Sequence, residues 1–241
     1  MIYIKKFLVM SFGLFFFMLH LHAAKIQISP ISLSLSPQES IQVINLTNVG
    51  DTSVLYQLMT INAWRQLNGK AHYQKTTELA AMPPIMKIAP GHKQVIRLGY
   101  IGTWNFKEEK AYRILLHQVL DPPKKDTNGK TIVALNVGLD LSIPIFVKPN
   151  LPTHPMVTGT AHLKHNDLTV TLHNTGSEHI KVRDLQLVTA HGNKLWSGTW
   201  LMYALASSSE TLTQHIDLIA KSKPRIVELL LDDNTHLQLP L

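Results

Sequence analysis

The sequence predicts an all-β protein built from two antiparallel β-sandwich domains. Three observations predict it. Short apolar–polar alternations punctuated by turn residues fill the first half of the chain. The second half repeats that grammar after a proline-rich break. No stretch carries the 3.6-residue periodicity of a three-turn amphipathic helix.

The chain opens with an expected export signal over residues 1–24. Lys5 and Lys6 precede an uncharged run from Phe7 to Leu19, and Ala23-Ala24 offers a cleavage site, although His22 occupies a position where a small residue is preferred. The run is shorter than the ~20 residues a membrane span needs, and no later stretch replaces it, so no stable membrane insertion is expected. Loss of residues 1–24 would lower the formal net charge from +7 to +5, because it removes two lysines and no acid. The remaining basic residues are dispersed, which argues against nucleic-acid binding. Cysteine is absent, so the domains must be held by their cores alone.

Ile31, Leu33 and Leu35 alternate with Ser32, Ser34 and Ser36, the pattern of a half-buried strand that Pro37 ends. Ile41 to Leu46 follows and runs into the turn Asn48-Val49-Gly50-Asp51. Val54 to Ala63 is the next strand, closing on Trp64, and Asn68-Gly69 signals a two-residue hairpin. Pro83-Pro84 breaks the chain before Ile85 to Ile88, and Pro90-Gly91 turns it before Gln94 to Leu98. Tyr112 to Val119 is a further strand.

The segment from Ile132 to Pro149 is the most informative. Val133, Leu135, Val137, Leu139, Leu141, Ile143, Ile145 and Val147 alternate strictly, with Asn136, Gly138, Asp140 and Ser142 between the middle ones. Strands typically run about 5–6 residues. One of this length would reach roughly 50 Å at ~3.3 Å per residue, beyond a single sandwich sheet. Its excess apolar face needs a cover. Either the strand bends from one sheet to the other, or the face meets a different polypeptide.

Pro149, Pro152 and Pro155 mark a linker. The expected organisation is a first domain over 25–149, a linker over 150–155 and a second domain over 156–241. Leu168 to Gly176 echoes Gln42 to Gly50: Val170 and Leu172 stand where Ile44 and Leu46 stood, and Asn174-Thr175-Gly176 where Asn48-Val49-Gly50 did. His191-Gly192-Asn193-Lys194 reads as a turn and Arg225 to Leu231 as a late strand.

Catalytic signatures are missing. There is no phosphate-binding glycine loop and no nucleophile elbow, and the acids are few and dispersed, which leaves a paired-carboxylate hydrolase unsupported. His162 and His165 lack the spacing and the third ligand of a familiar metal site. The expectation is a protein that is no enzyme and holds neither metal nor cofactor.

An ordered set of motifs then resembles the periplasmic pilus (fimbrial) chaperone family across residues 26–149. The set is Ser29-Pro30-Ile31, Trp64 before the hairpin, Met82-Pro83-Pro84-Ile85 and Pro90-Gly91-His92-Lys93-Gln94-Val95-Ile96-Arg97. Glu109-Lys110-Ala111-Tyr112-Arg113 and Leu141-Ser142-Ile143-Pro144-Ile145-Phe146-Val147 complete it. The resemblance implies two immunoglobulin-like sandwiches set at an angle around a cleft. It also implies donor-strand complementation, in which a chaperone strand fills the open groove of a subunit lacking its own last strand. It implies pilus subunits as partners, an outer-membrane usher as a further one, location in the periplasm, and action without ATP.

On this resemblance Val133, Leu135, Val137 and Leu139 are the donor side chains, with Leu141 a fifth candidate, and Ile143 to Val147 stay in the home core. Family members also hold the subunit's C-terminal carboxylate with basic residues. This chain departs from the best-studied branch, because Pro30-Ile31-Ser32-Leu33 and Ser142-Ile143-Pro144 lack the basic residues expected there. Its Tyr112-Arg113 pair resembles the divergent branch called archaic. Arg113 is then the expected anchor, since a guanidinium matches a carboxylate bidentately; Arg97 is a second candidate. The residue-level alternative for Arg113 is a structural pair with Glu109. Trp64, Pro83, Pro84 and Gly91 read as fold residues. Two rival functions remain: a periplasmic binding module for carbohydrate or peptide, and a structural fibre subunit, which should carry a free N-terminal donor segment.

Overall fold

The structure is a computed structural model that describes residues 26–67, 70–120, 138–218 and 223–241. The expected export signal lies outside the described residues. Those residues form strands and connections with no helix.

The first ten strands are β1 (Ile26–Ser29), β2 (Leu33–Leu35), β3 (Ile41–Asn48), β4 (Val54–Leu67), β5 (Lys70–Lys75), β6 (Leu79–Met82), β7 (Ile85–Ile88), β8 (Lys93–Tyr100), β9 (Lys110–Val119) and β10 (Leu141–Val147). They make one sandwich. One sheet has the order β1-β3-β8-β6, and the facing sheet the order β2-β10-β9-β4-β5, with β7 also beside β4. All pairings are antiparallel except that of β10 with β2. Tyr56, Tyr112, Ile114, Leu116, Ile96, Leu98 and Ile145 are among the side chains that fill the space between the sheets.

Proline sets where the chain changes sheet. It offers no N–H to a ladder and so favours strand ends and breaks, although β10 carries Pro144 within its pairing with β9. Pro30 separates β1 from β2, and Pro83-Pro84 separates β6 from β7, and in each case the two strands belong to opposite sheets. This corrects the expected strand from Ile31: the chain is still crossing there, and Ile31 stands 67% exposed while Leu33 and Leu35 are buried.

The seven strands of the second sandwich are β11 (Val157–Lys164), β12 (Asp167–Asn174), β13 (Ile180–Val188), β14 (Lys194–Ala204), β15 (Ser208–His215), β16 (Ile226–Leu231) and β17 (His236–Pro240). They form sheets in the orders β11-β12-β15 and β14-β13-β16-β17. Leu168, Val170, Leu172, Leu185, Leu187, Trp200 and Val227 lie in its core.

The echo between Asn48-Val49-Gly50 and Asn174-Thr175-Gly176 is a repeated piece of structure. Asn48 Nδ2 donates to the carbonyls of Thr52 (2.7 Å) and Ile88 (3.0 Å), and its Oδ1 accepts from the Gly50 N–H (3.0 Å). Asn174 Nδ2 donates to Glu178 (2.7 Å) and Ala204 (3.0 Å), and its Oδ1 accepts from the Gly176 N–H (2.9 Å). In both domains a fully buried asparagine ties its own turn to a distant strand.

The long strand expected over 132–149 is corrected in part. Within the described residues it is β10, and Gly138 to Asp140 lie outside any strand; residues 132–137 lie outside the described residues.

Leaving a buried polar group unpaired costs about 1–3 kcal/mol. Asn48→Ala and Asn174→Ala, each orphaning several backbone groups, should each destabilise the protein by about 3 kcal/mol in urea unfolding. Asn→Asp at either site keeps the acceptor but loses both donors, and should recover only part of the loss.

Candidate functional site

Successive side chains on β9 point to opposite faces of its sheet. Tyr112, Ile114, Leu116 and Gln118 are buried between the sheets, and Arg113, Leu115 and His117 alternate with them on the outer face. The second domain covers one end of that outer face. Trp64 on β4, Phe146 on β10 and Leu205 after β14 form a buried cluster there, with Ala111 and Tyr203 packed against it.

Polar contacts complete this joint. The His179 ring stacks on Phe146 with centroids 3.5 Å apart and an interplanar angle of 5°. The Glu109 carboxylate, almost wholly buried, meets His179 Nδ1 at 2.6 Å and the His179 N–H at 3.2 Å. Gln66 Nε2 donates to the Tyr203 carbonyl (2.6 Å), and its Oε1 accepts from the Leu205 N–H (2.8 Å) and the Ser208 hydroxyl (2.9 Å). Lys148 pairs with Glu178 at 2.6 Å. Burial opposes ionisation of Glu178, but hydrogen bonds from Lys148 and Thr153 and the positive charge of Lys148 outweigh it, so its carboxyl sits below its ordinary value. A cavity of about 530 Å³ opens beside the joint, lined in part by Gln66, Glu78, Lys110, Tyr112 and Ser207. Glu78 is treated likewise: burial opposes its charge, and hydrogen bonds from Lys110, Tyr112 and Tyr100 more than offset this and lower its pKa.

Arg113 lies at the rim of the joint. Its guanidinium sits 4.1 Å from the centroid of the Trp64 ring, a cation–π contact. Nη1 reaches the carbonyl (3.4 Å) and hydroxyl (3.3 Å) of Ser142, while the buried Nε has no partner. The alternative pair with Glu109 does not form, because His179 holds that carboxylate. Among the described residues, no carboxylate pairs with Arg113. Arg97 is elsewhere: it projects, exposed, from β8 between buried Ile96 and Leu98, on the outer face of the opposite sheet. The two arginines therefore do not share a site.

Five residues farther along β9, roughly 17 Å at strand spacing, the sheet opens. The last rung joining β10 to β9 is Leu141 with Leu116. Leu141, the fifth donor candidate, is buried in the home core at 8% exposure. Leu139 is 49% exposed. Its N–H donates to the side-chain Oε1 of Gln118 (3.0 Å), which also accepts from the Tyr56 hydroxyl (3.4 Å). Burial raises the Tyr56 pKa, and the nearby Asp140 carboxylate adds to the effect. Val133, Leu135 and Val137 lie outside the described residues.

With this geometry in place, known proteins can be compared. The family model described as pili and flagellar-assembly chaperone, PapD N-terminal domain, matches residues 25–152. The chain belongs to this chaperone family. Sequence comparison with characterised proteins finds no match. Among solved structures, a chain of the CsuC–CsuE chaperone–tip adhesion subunit pre-assembly complex of archaic Csu pili from Acinetobacter baumannii superposes with a TM-score of 0.64. The identity is 18%, and 90% of this chain and 98% of that one are covered. The YadV chaperone gives 0.57 at 15% identity, covering 90% and 99%. A chain from the Salmonella enterica SafA pilin–SafB chaperone complex gives 0.56 at 13%, covering 91% and 97%. At these identities the likeness concerns the fold, and it extends through both sandwiches of the chaperone.

The joint was less visible in the sequence than the strands. Trp64 and Phe146 could be placed on strands, but nothing in the chain ties Gln66 to Tyr203 or Glu109 to His179. The nearest signal is that Glu109 and Phe146 both lie inside motifs of the family set.

A carboxyl whose folded pKa is depressed contributes stability above its unfolded value, and that stability is lost as pH falls through the folded pKa. Glu78 and Glu178 should therefore make the protein lose stability as pH drops below their ordinary 4.5. In thermal melts from about pH 6 down to about pH 3, Glu78→Gln and Glu178→Gln should start lower and fall less steeply than the parent.

Proposed function

We propose that this protein is a periplasmic chaperone that captures pilus subunits by donor-strand complementation, without ATP, and passes them to an outer-membrane usher. One observation carries the reading: the aliphatic alternation of β10 continues beyond the core that β10 serves. Leu141 is buried at home, whereas Leu139, the next residue of the same series, is half exposed. The series continues in sequence through Val137, Leu135 and Val133. With Leu141 committed to its own core, these four are the donor side chains.

Burying one Val or Leu is worth ~1.5–3 kcal/mol, so four supply roughly 6–12 kcal/mol before ordering and association costs. That is enough to hold a subunit and small enough for a competing strand to displace it without nucleotide hydrolysis. Arg113 is the proposed anchor for the subunit's C-terminal carboxylate. It is held in place by Trp64 and Ser142 and has donor capacity left. The CsuC–CsuE and SafA–SafB complexes lend support as cases in which members of this fold were captured with a subunit. No feature of the described residues favours a carbohydrate or peptide module over this reading.

Co-expression with candidate pilus subunits and co-purification from the periplasm tests it. Val137→Asp combined with Leu139→Asp should abolish the complex in a folded chaperone, while a charge at Asn136 is tolerated. Arg113→Ala should lower recovery at least tenfold, and Arg113→Lys should restore only part, since an ammonium lacks the bidentate fork. Undiminished capture by the double aspartate variant would remove the basis for strand donation.

A further inference from the structure

The point where the chain parts from β9 is built from unusual residues. The inward series of β9 is Tyr112, Ile114, Leu116 and then Gln118, an amide at the end of an apolar row and only 6% exposed. A buried amide is costly unless it is hydrogen-bonded. Its partner is a backbone group of the departing segment, the Leu139 N–H at 3.0 Å. Continuing the β10–β9 register beyond Leu141–Leu116 would set Leu139 opposite Gln118 and Asp140 opposite His117. At the first of these rungs a side chain has taken the place of the ladder. At the second, His117 Nδ1 meets Asp140 Oδ1 at 2.7 Å. Gln118 points inward and His117 outward, so the two contacts grip adjacent residues from opposite faces of the sheet. Between the separating chains lies a wedge of about 510 Å³ lined by His117, Gln118, Val119, Leu120, Gly138 and Asp140.

We propose that Gln118, assisted by the His117–Asp140 pair, is a positioning latch that fixes the register at which the donor segment leaves its home sheet. This rests on the strand-donation reading above. A slip of one residue would turn every donor side chain to the wrong face, and a slip of two would move each into its neighbour's place in the subunit groove. The latch resists both, because Leu139 N–H is the donor that meets the buried Oε1. It also orders Leu139 and Asp140 before a subunit arrives, which removes part of the conformational cost of capture. The exposed His117–Asp140 pair adds direction more than strength.

Hydrogen exchange on the free protein examines the latch without any subunit. Gln118→Met keeps the volume and removes the acceptor, and should speed exchange of the Leu139 amide about tenfold while leaving the Ile114 and Leu116 amides unchanged. Gln118→Glu keeps the acceptor and should retain protection. Tyr56→Phe removes the other bond to the same oxygen and should leave Leu139 as it was, which separates the latch from general loosening of the core. Co-purification with the subunit captured by the parent protein is the second readout: Gln118→Met should lower recovery roughly tenfold at an unchanged thermal midpoint. Unchanged Leu139 exchange in Gln118→Met would overturn the latch even if subunit capture stands. Faster exchange with undiminished recovery would overturn its role in positioning. A parent protein that captures no subunit would overturn the strand-donation reading and that role together, with the exchange result still reporting whether Gln118 holds Leu139.

Discussion

A strand has two faces, and the protein depends on β9 using both. The inward row, Tyr112, Ile114 and Leu116, is shared core for the two sheets of the first domain. The outward row begins at Ala111 under the second domain, passes Arg113 at the rim of the joint, and reaches His117 where the sheet opens. A one-residue shift of β9 would expose the core row and bury the arginine, so core packing and placement of the candidate anchor are fixed by the same register.

The joint between the domains is equally constrained. Trp64, Phe146 and Leu205 supply the apolar contact, while the Glu109–His179 contact and the Gln66 bonds to Tyr203, Leu205 and Ser208 supply direction. Buried polar groups tolerate little displacement, because each lost partner leaves an uncompensated group behind. This joint therefore specifies the relation of the two sandwiches more sharply than apolar contact alone could. Trp64 links the joint to the site: its ring contributes to the interdomain cluster and also lies under the Arg113 guanidinium.

Local physics was legible in the sequence and long-range pairing was not. Alternation and turn chemistry located most strands, and the paired Asn-x-Gly turns identified one buried device used in both domains. Ile31 was misplaced because it keeps the alternation of Leu33 and Leu35, while the backbone at that point is changing sheets. Leu141 was undecidable from sequence because it belongs to an unbroken series, and burial divides that series at a place that no residue type marks. Gln118 carried a faint signal, an amide ending an apolar row, which acquires meaning only once Leu139 is seen beside it. The Tyr112-Arg113 motif ranked Arg113 ahead of Arg97 in the sequence, but that the two stand on opposite sheets is visible only in the fold.

A segment that offers an apolar face to another chain is also an invitation to unwanted pairing. The described end of this segment limits that hazard by asymmetry. Leu139 supplies the apolar side, whereas Gly138 and Asp140 supply a small and a charged neighbour on the other. Asp140 is further tethered to His117, so its charge stays at the sheet edge. An aliphatic series on one face with polar or small residues on the other can enter a groove that covers one side and leaves the other in water. It is poorly suited to stacking between two sheets, which would bury both faces. On the proposed reading, the residues that would make the segment a usable donor are thus also those that would keep it from being indiscriminate, and both properties follow from the period of two in a β-strand.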